Sequence, residues 1–524
     1  MKTNTKQWLL GTLLVAATQV SVAQEVSLKW RYQEADTMNL VKGQTSVSYD
    51  AGADSINDSR IEKSLFAIEL GNALSTSLKD FSETCKVEPI AEPPIRPLGV
   101  PGGLPILPPG PTPIPQPNKD CVAKRTAVAD KLLASVASLQ TKIDASREIQ
   151  DPKFYEVLDL GRSLAKNMKE YKDRPVFKFN EGIARSFAAA PAGVGGGLNV
   201  TAGGAQDFGY FRKLVTDGEV PHFESLTMEG FLSEFDLSLT PQACDALLCV
   251  QPGLKVDTAA KKAFLQIGMN SNVQKATFHR KPLNLSIVLD ISGSMSDTDN
   301  TEKSRLDWAK DAIAKTVAEL NEQDILSIVL FDTNSEVLVP AANVTDKAAL
   351  LKKVNALKTK GSTNLEAGLV DGYEQLSERA LDLEGYESRL ILISDAGLNT
   401  GVTDEAAVLK QITDYSNEGI GLTAIGLGLN FNQKFVHGIT QSRGGNYLFV
   451  HSGKDMFRYF ESFDFLVTPV AYNFKVALEF PGAKLVKAYG VPQNTDAPVQ
   501  ELINVQTLFF SEAGGAIVLE YDLN

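Results

Sequence analysis

The sequence predicts an α/β fold with a doubly wound, mainly parallel sheet, flanked by β-rich segments and preceded by a helical region. Three observations carry this prediction. Two apolar runs end in acidic residues, Asp290 and Asp395, strand-like and helix-like periods alternate through residues 282–468, and short strand-like runs stand on both sides of that range. Continuous apolar strands alternating with helices are typical of a parallel sheet that helices cover on both faces.

The α/β region divides into strands and helices by its hydrophobic period. The first strand leads into a helix with an apolar face at Leu306, Ala309, Ile313, Val317 and Leu320. The predicted strands are 285–290, 325–331, 389–394, 421–427 and 446–450, and the later helices are 346–358, 365–380, 404–417, 432–442 and 454–466. In doubly wound sheets, ligands bind at the carboxyl ends of the strands, where both acidic residues stand.

Five side chains at this edge form a candidate metal site. Asp290 opens an Asp-x-Ser-x-Ser loop with Ser292 and Ser294, Thr363 lies in a polar Gly-Ser-Thr loop, and Asp395 ends the second acidic strand. The first motif alone is a weak signal, whereas its conjunction with the other two features is specific. Carboxylate and hydroxyl oxygens suit Mg²⁺, Mn²⁺ or Ca²⁺, and Mg²⁺ is the cation we expect first.

These motifs resemble the von Willebrand factor A (VWA) family and its metal-ion-dependent adhesion site, over roughly residues 282–468. The resemblance implies that the three hydroxyl residues coordinate the metal directly or through water. It also implies that the two aspartates often act through bridging waters. One departure is that Ala396 follows Asp395, where the family usually has glycine.

The predicted function is metal-dependent binding rather than catalysis. A mostly neutral ligand set leaves the cation its positive charge and an open position for an external carboxylate, from a protein or matrix ligand. An envelope-assembly scaffold with a structural metal is the alternative. Phosphotransfer would need a second carboxylate at Ser292, the four histidines lack zinc-site spacing, and the serines lack a Gly-x-Ser-x-Gly elbow. We therefore predict no enzyme.

Residues 1–23 predict export, because two lysines precede an apolar core and Ser21-Val22-Ala23 forms a small-residue cleavage site. The expected location is the periplasm or the cell exterior. No later run approaches the ~20 apolar residues that a transmembrane helix needs. The net charge of −13 argues against nucleic acid and anionic membrane as partners.

The rest of the chain divides by composition. Short strand-like runs before and after the α/β region are too few to form separate sheets, so we expect them to unite in a β-sandwich with that region inserted. Residues 206–235 also resemble the segment before the A domain in exported bacterial proteins, which indicates a bacterial source. The predicted boundaries are 24–188 for a mainly helical region, 189–206 for a Gly/Ala-rich linker, and 207–281 with 469–524 for the flanking β-rich domain.

Four cysteines in an exported chain favour disulfides. Local pairing gives Cys85–Cys121 and Cys244–Cys249. The first bridge would close the proline-rich loop 86–120, which holds twelve of the chain's 24 prolines. We favour a tethered spacer or insert as the interpretation of this loop. The alternative interpretation is a docking segment for a partner that recognises proline-rich sequences.

Overall fold

The computed structural model describes most of the chain after the predicted signal segment. Residues 1–22 and residues 85–118, with Cys85 and most of the proline-rich loop, lie outside the described residues. None of the described helices has the length and apolarity needed to cross a membrane. The described ranges are 23–50, 55–84, 119–171, 199–202, 205–206, 208–239, 244–299, 301–380, 385–395, 404–427, 438–450, 463–491, 504–511 and 515–524.

The described secondary structure is numbered here in chain order. The strands are β1 (Ala23–Glu34), β2 (Leu40–Asp50), β3 (Ser55–Asn57), β4 (Asn199–Ala202), β5 (Ala205–Gln206), β6 (Cys249–Asp257), β7 (Lys262–Asn270), β8 (Leu283–Asp290), β9 (Ile325–Phe331), β10 (Ser335–Asn343), β11 (Glu387–Ser394), β12 (Gly421–Leu427), β13 (Asn446–Val450), β14 (Pro469–Glu479), β15 (Ala483–Tyr489), β16 (Asn504–Ser511) and β17 (Ala516–Leu523). The helices are α1 (Glu62–Thr84), α2 (Lys119–Ala145), α3 (Pro152–Glu170), α4 (Phe208–Thr216), α5 (Met228–Leu232), α6 (Arg305–Glu319), α7 (Lys347–Asn355), α8 (Leu365–Ala380), α9 (Glu405–Asn417) and α10 (Phe463–Val467).

The α/β domain is built on a sheet whose described strands follow the order β10-β9-β8-β11-β12-β13-β5. All neighbours in this sheet are parallel except β10 and β9. Every residue of β8 is buried, because α6 covers one face of the sheet and α8 and α9 cover the other. The predicted doubly wound fold is confirmed. Of the predicted helices 432–442 and 454–466, residues 428–437 and 451–462 lie outside the described part of the chain.

The flanking strands unite as predicted, in an antiparallel sheet of ten described strands. Its main path is β15-β17-β7-β4-β16-β14-β1-β2, and β6 and β3 extend it from β7. The strands before and after the α/β domain share one buried core, which contains Leu265, Phe474 and Leu519. Hydrogen bonding joins all ten strands into one sheet, where we expected the two sheets of a sandwich.

The described part of the N-terminal region contains three long helices, α1, α2 and α3, which pack around a core that includes Leu74, Leu132 and Leu164. It also contributes β1, β2 and β3 to the flanking sheet, which the helical prediction for residues 24–188 did not include. Within the segment predicted as a linker, β4 joins the flanking sheet and β5 pairs with β13. These two short strands link the two sheets that the structure describes.

The α/β domain is fixed to the flanking sheet near the start of β11. Arg389 is fully buried there and donates hydrogen bonds to Val467 O at 3.1 Å and Gly444 O at 3.0 Å. The amide of Gly444 in turn donates to Thr507 Oγ1 on β16 at 2.7 Å. Because a strand rises about 3.3 Å per residue, this attachment lies about 20 Å from Asp395. The candidate site lies at the other end of the strands, where Asp290 and Asp395 stand.

Candidate metal site

Two buried carboxylates lie at the same edge of the α/β sheet, on neighbouring strands. Asp290 ends β8 and Asp395 directly follows β11, and the two strands are parallel with Leu289 opposite Ile393. Asp290 is 0% exposed and Asp395 is 3% exposed. Ser394 fixes the junction by donating a hydrogen bond to Asp290 Oδ2 at 2.6 Å.

The loop after β8 carries the two serine hydroxyls onto these carboxylates. The amide of Ser292 donates to Asp290 Oδ1 at 2.8 Å, and the hydroxyls of Ser292 and Ser294 lie 3.1 Å apart. Ser294 Oγ then donates to Asp395 Oδ1 at 3.0 Å. A continuous chain of hydrogen bonds therefore joins four of the five predicted site residues.

Thr363, the fifth residue, reaches this edge through a second loop. The amide of Gly293 donates to the carbonyl of Gly361 at 3.2 Å, and the amide of Lys360 donates to the carbonyl of Ile291 at 2.7 Å. Thr363 follows two residues after Gly361 and is 3% exposed. Gly361 has a φ of +69°, a left-handed conformation that favours glycine. The backbone contacts thus place the Thr363 loop against the serine loop.

The electrostatics of the site favour a cation. Burial, and next the negative charge of Asp395, raise the pKa of Asp290 to about 6, although hydrogen bonds from Ser394 and Ser292 oppose the shift. Among the described ion pairs, Arg305 neutralises Asp395, and none involves Asp290. A buried carboxylate with a raised pKa is stabilised in its charged form when a cation lies beside it.

The ligand set fits a hard divalent cation. It consists of two carboxylates and three hydroxyls, all oxygen ligands of the kind that Mg²⁺, Mn²⁺ and Ca²⁺ prefer. In the described part of the chain, no group of three or more His, Cys, Asp or Glu side chains is placed to hold a metal.

Two buried charged residues beside the site were not predicted from the sequence. Arg305 is 4% exposed and Asp299 is 6% exposed. Arg305 begins α6 after the capping residue Ser304, a position that usually faces solvent. Its spacing was nevertheless a signal, because Arg305 stands four residues before Ala309, on the apolar face of the helix.

Comparison with known proteins supports the domain identity. Residues 285–398, which include all five predicted site residues, match the family model of the von Willebrand factor type A domain. The chain is 28% identical over 200 residues to the uncharacterized protein YfbK of Escherichia coli (strain K12), covering 38% of this chain and 33% of that protein. It is 26% identical over 210 residues to inter-alpha-trypsin inhibitor heavy chain H3 of Rattus norvegicus, covering 38% of this chain and 22% of that protein.

These curated relatives share only part of their length with this chain, a third or less in each case. A solved structure described as von Willebrand factor type A from Catenulispora acidiphila aligns with 54% of this chain and 67% of its own, at 12% identity and a TM-score of 0.35. The family match over residues 285–398, together with the doubly wound fold, shows that this protein contains a von Willebrand factor type A domain.

Proposed function

We propose that this protein is an exported binding protein whose VWA domain uses a divalent cation to capture a carboxylate of a protein or matrix partner. The supporting observation is the hydrogen-bonded chain from Asp290 through Ser292 and Ser294 to Asp395. These four residues and Thr363 would hold the cation, with Mg²⁺ first and Mn²⁺ or Ca²⁺ as alternatives. The cation would supply the positive charge that recognises the partner's carboxylate.

The ligands differ in exposure, which gives the site one open side. Asp290, Ser292, Thr363 and Asp395 are at most 3% exposed, whereas Ser294 belongs to the exposed residues. A partner would therefore approach over Ser294. The buried hydroxyls carry no charge, so they leave the cation's charge available on that side.

Export is part of the proposal. It rests on the predicted signal segment, and the cysteines agree with it, because disulfides persist in oxidising compartments. Cys244 and Cys249 form a disulfide with a Cα–Cα distance of 5.9 Å. Cys121 is also disulfide-bonded, while Cys85 lies outside the described residues.

A scaffold function is the second candidate, favoured by the buried attachment of the VWA domain to the flanking sheet through Arg389 and Gly444. In a scaffold, the metal would stabilise the domain and its open side would bind nothing. The two functions differ in one measurable respect: only carboxylate capture requires an exchangeable coordination position at the metal.

Calorimetric titration of the full chain with Mg²⁺ and Mn²⁺ tests the proposed site. Ser292→Ala should weaken metal binding by about tenfold, because it removes one hydroxyl from the site. The matched control is Ser286→Ala, on β8 before this loop, whose buried hydroxyl has no hydrogen-bond partner in the described structure. Equal metal affinities in the two variants would contradict the site. If Ser292→Ala weakens metal binding as expected, a pull-down from native envelopes, with and without chelator, would identify the partner.

A further inference from the structure

We infer that Arg305 is a positioning residue that holds one oxygen of Asp395 away from the metal site and thereby disfavours Ca²⁺ relative to Mg²⁺ and Mn²⁺. This inference rests on the proposed metal-binding function and adds a selectivity mechanism to it. The supporting observation is a buried ion-pair network around Arg305, a residue that lies outside the sequence motifs of the site.

The network joins one guanidinium to two carboxylates. Arg305 Nη1 donates to Asp395 Oδ2 at 2.5 Å, while its Nε and Nη2 donate to Asp299 Oδ2 and Oδ1 at 2.6 and 2.5 Å. The side chains of Arg305, Asp299 and Asp395 are 4%, 7% and 3% exposed. Both oxygens of Asp299 therefore accept hydrogen bonds from the guanidinium. Arg305 cannot turn away from Asp395, because the buried charge of Asp395 would then be unpaired.

The backbone around Asp299 holds the ion pair between Asp299 and Arg305 in place. Asp299 has a φ of +45°, a left-handed conformation that aspartate tolerates better than most residues. Its amide donates to Asp297 Oδ1 at 3.0 Å, and the amide of Arg305 donates to the carbonyl of Asp297 at 2.9 Å. Asp299 and Arg305 are thus both hydrogen-bonded through their amides to Asp297 in the loop.

The two oxygens of Asp395 consequently have different roles. Oδ2 is committed to Arg305, whereas Oδ1 accepts the hydrogen bond from Ser294 Oγ, a proposed metal ligand. A carboxylate held in this way offers the site a single oxygen. Ca²⁺ takes about six to eight oxygen ligands and often binds carboxylates through both oxygens, while Mg²⁺ keeps an octahedral shell with several waters. Restricting Asp395 to one oxygen therefore disfavours Ca²⁺ and preserves coordination positions for water or a partner.

The test compares Ca²⁺ and Mg²⁺ affinities in the full chain by calorimetry. The variant is Arg305→Met in an Asp299→Asn background, so that no carboxylate is left unpaired at position 299. We expect the ratio of Ca²⁺ to Mg²⁺ affinity to rise about tenfold, because Asp395 can then bind through both oxygens. Asp299→Asn alone should keep the wild-type ratio, since Arg305 still holds Asp395.

Arg280→Met is the matched control for removing a buried arginine. Arg280 pairs with Asp324 and Asp464 before the start of β8, at the other end of the domain. Its loss should lower stability and leave the ratio unchanged. A ratio in the Arg305→Met variant within about twofold of this control would overturn the inference. Wild-type protein that binds neither cation would instead refute the proposed metal site, and the inference with it.

A second measurement covers the case in which the Arg305→Met variant does not fold. Arg305→Lys retains a cation but lacks the planar fork, so it should hold Asp395 less firmly and give an intermediate ratio. With Mn²⁺ bound, water-proton relaxation counts the coordinated waters. The Lys variant should show fewer waters than the wild type, and an unchanged ratio together with an unchanged water count would overturn the inference.

Discussion

Ser394 Oγ donates a 2.6 Å hydrogen bond to Asp290 Oδ2 and so joins the last residue of β11 to the last residue of β8. Both residues are 0% exposed. The other oxygen of Asp290 accepts the amide of Ser292 at 2.8 Å. Both carboxylate oxygens are thus held by neutral donors, which fix their position without cancelling the charge. This arrangement suits a carboxylate that acts on a cation.

Asp290→Asn should abolish metal binding without unfolding the protein. The amide keeps the size of the side chain but removes the charge, so Mg²⁺ affinity should fall at least about 100-fold. Calorimetry measures the affinity, and circular dichroism checks the fold. Ser286→Ala, on the same strand, should bind like the wild type. If Asp290→Asn binds Mg²⁺ normally, Asp290 is not part of a metal site.

The metal-free protein should become more stable as the pH falls towards 4, relative to Asp290→Asn. The folded-state pKa of Asp290 is raised from 3.8 to about 6. Its contribution to stability is therefore fully present below pH 3.8 and is lost as the pH rises through 6, amounting to about 3 kcal/mol. Urea unfolding in chelator at pH 4.5 and 7.5 measures the difference between the two proteins. A difference independent of pH would show that Asp290 titrates normally.

The α/β domain was predictable in detail because its strands are buried on both faces. The predicted bounds of 325–331, 421–427 and 446–450 coincide with β9, β12 and β13. Strand β10 was missed, since it lies at the sheet edge and all nine of its residues are partly or fully exposed. Such a strand lacks the apolar run by which its neighbours are recognised.

The strands of the N-terminal region were missed for a different reason. In β1, Val26, Leu28, Trp30 and Tyr32 alternate with polar residues, which is a period-two signal for a half-buried strand. The signal is short, however, and the long helical stripes that follow dominate the periodicity of this region. Its partner β14 stands more than 400 residues later in the chain, so the pairing itself cannot be read from local sequence.

The site was predictable only as far as its residues follow a motif. The positions of Asp290 and Asp395 follow from strand ends, which local sequence reveals. The ion pair of Arg305 with Asp299 depends instead on how the loop before α6 folds back over the strand ends, and charged residues near a helix start usually face solvent. The helical spacing of Arg305 indicates a buried position, but its pairing with Asp299 and Asp395 is visible only in three dimensions.

Gly361→Ala should weaken both metal binding and stability. A Cβ at this position would lie 2.7 Å from Asp332 Oδ1 and 2.9 Å from Thr333 Oγ1, in a backbone with a φ of +69°. The loop that carries Thr363 would have to shift. Gly419→Ala is the control, since Gly419 has a φ of +97° and open space around it. The control should lose roughly 1 kcal/mol of stability and no metal affinity, as measured by urea unfolding and calorimetry.

The disulfides should stabilise the fold without affecting the metal site. Replacing Cys244 and Cys249 by serine should cost about 2 kcal/mol in the chain-entropy model, because the bridge closes a short loop. Metal affinity should not change, since this bridge lies at the start of β6, in the flanking sheet. Non-reducing peptide mapping should find this bridge and Cys85–Cys121. Free thiols or crossed pairs would contradict the predicted connectivity.

Acetate should bind to the Mn²⁺-loaded protein and acetamide should not. An open position on the exposed side, at Ser294, accepts a carboxylate in place of water, whereas the amide lacks the charge that a hard cation favours. Water-proton relaxation should therefore fall on addition of acetate and stay constant with acetamide. Thr363→Ala, assayed at saturating Mn²⁺, should weaken the acetate response more than it lowers the melting temperature. If acetate leaves the relaxation of the wild type unchanged while chelation lowers its melting temperature, the metal is structural and the protein is a scaffold.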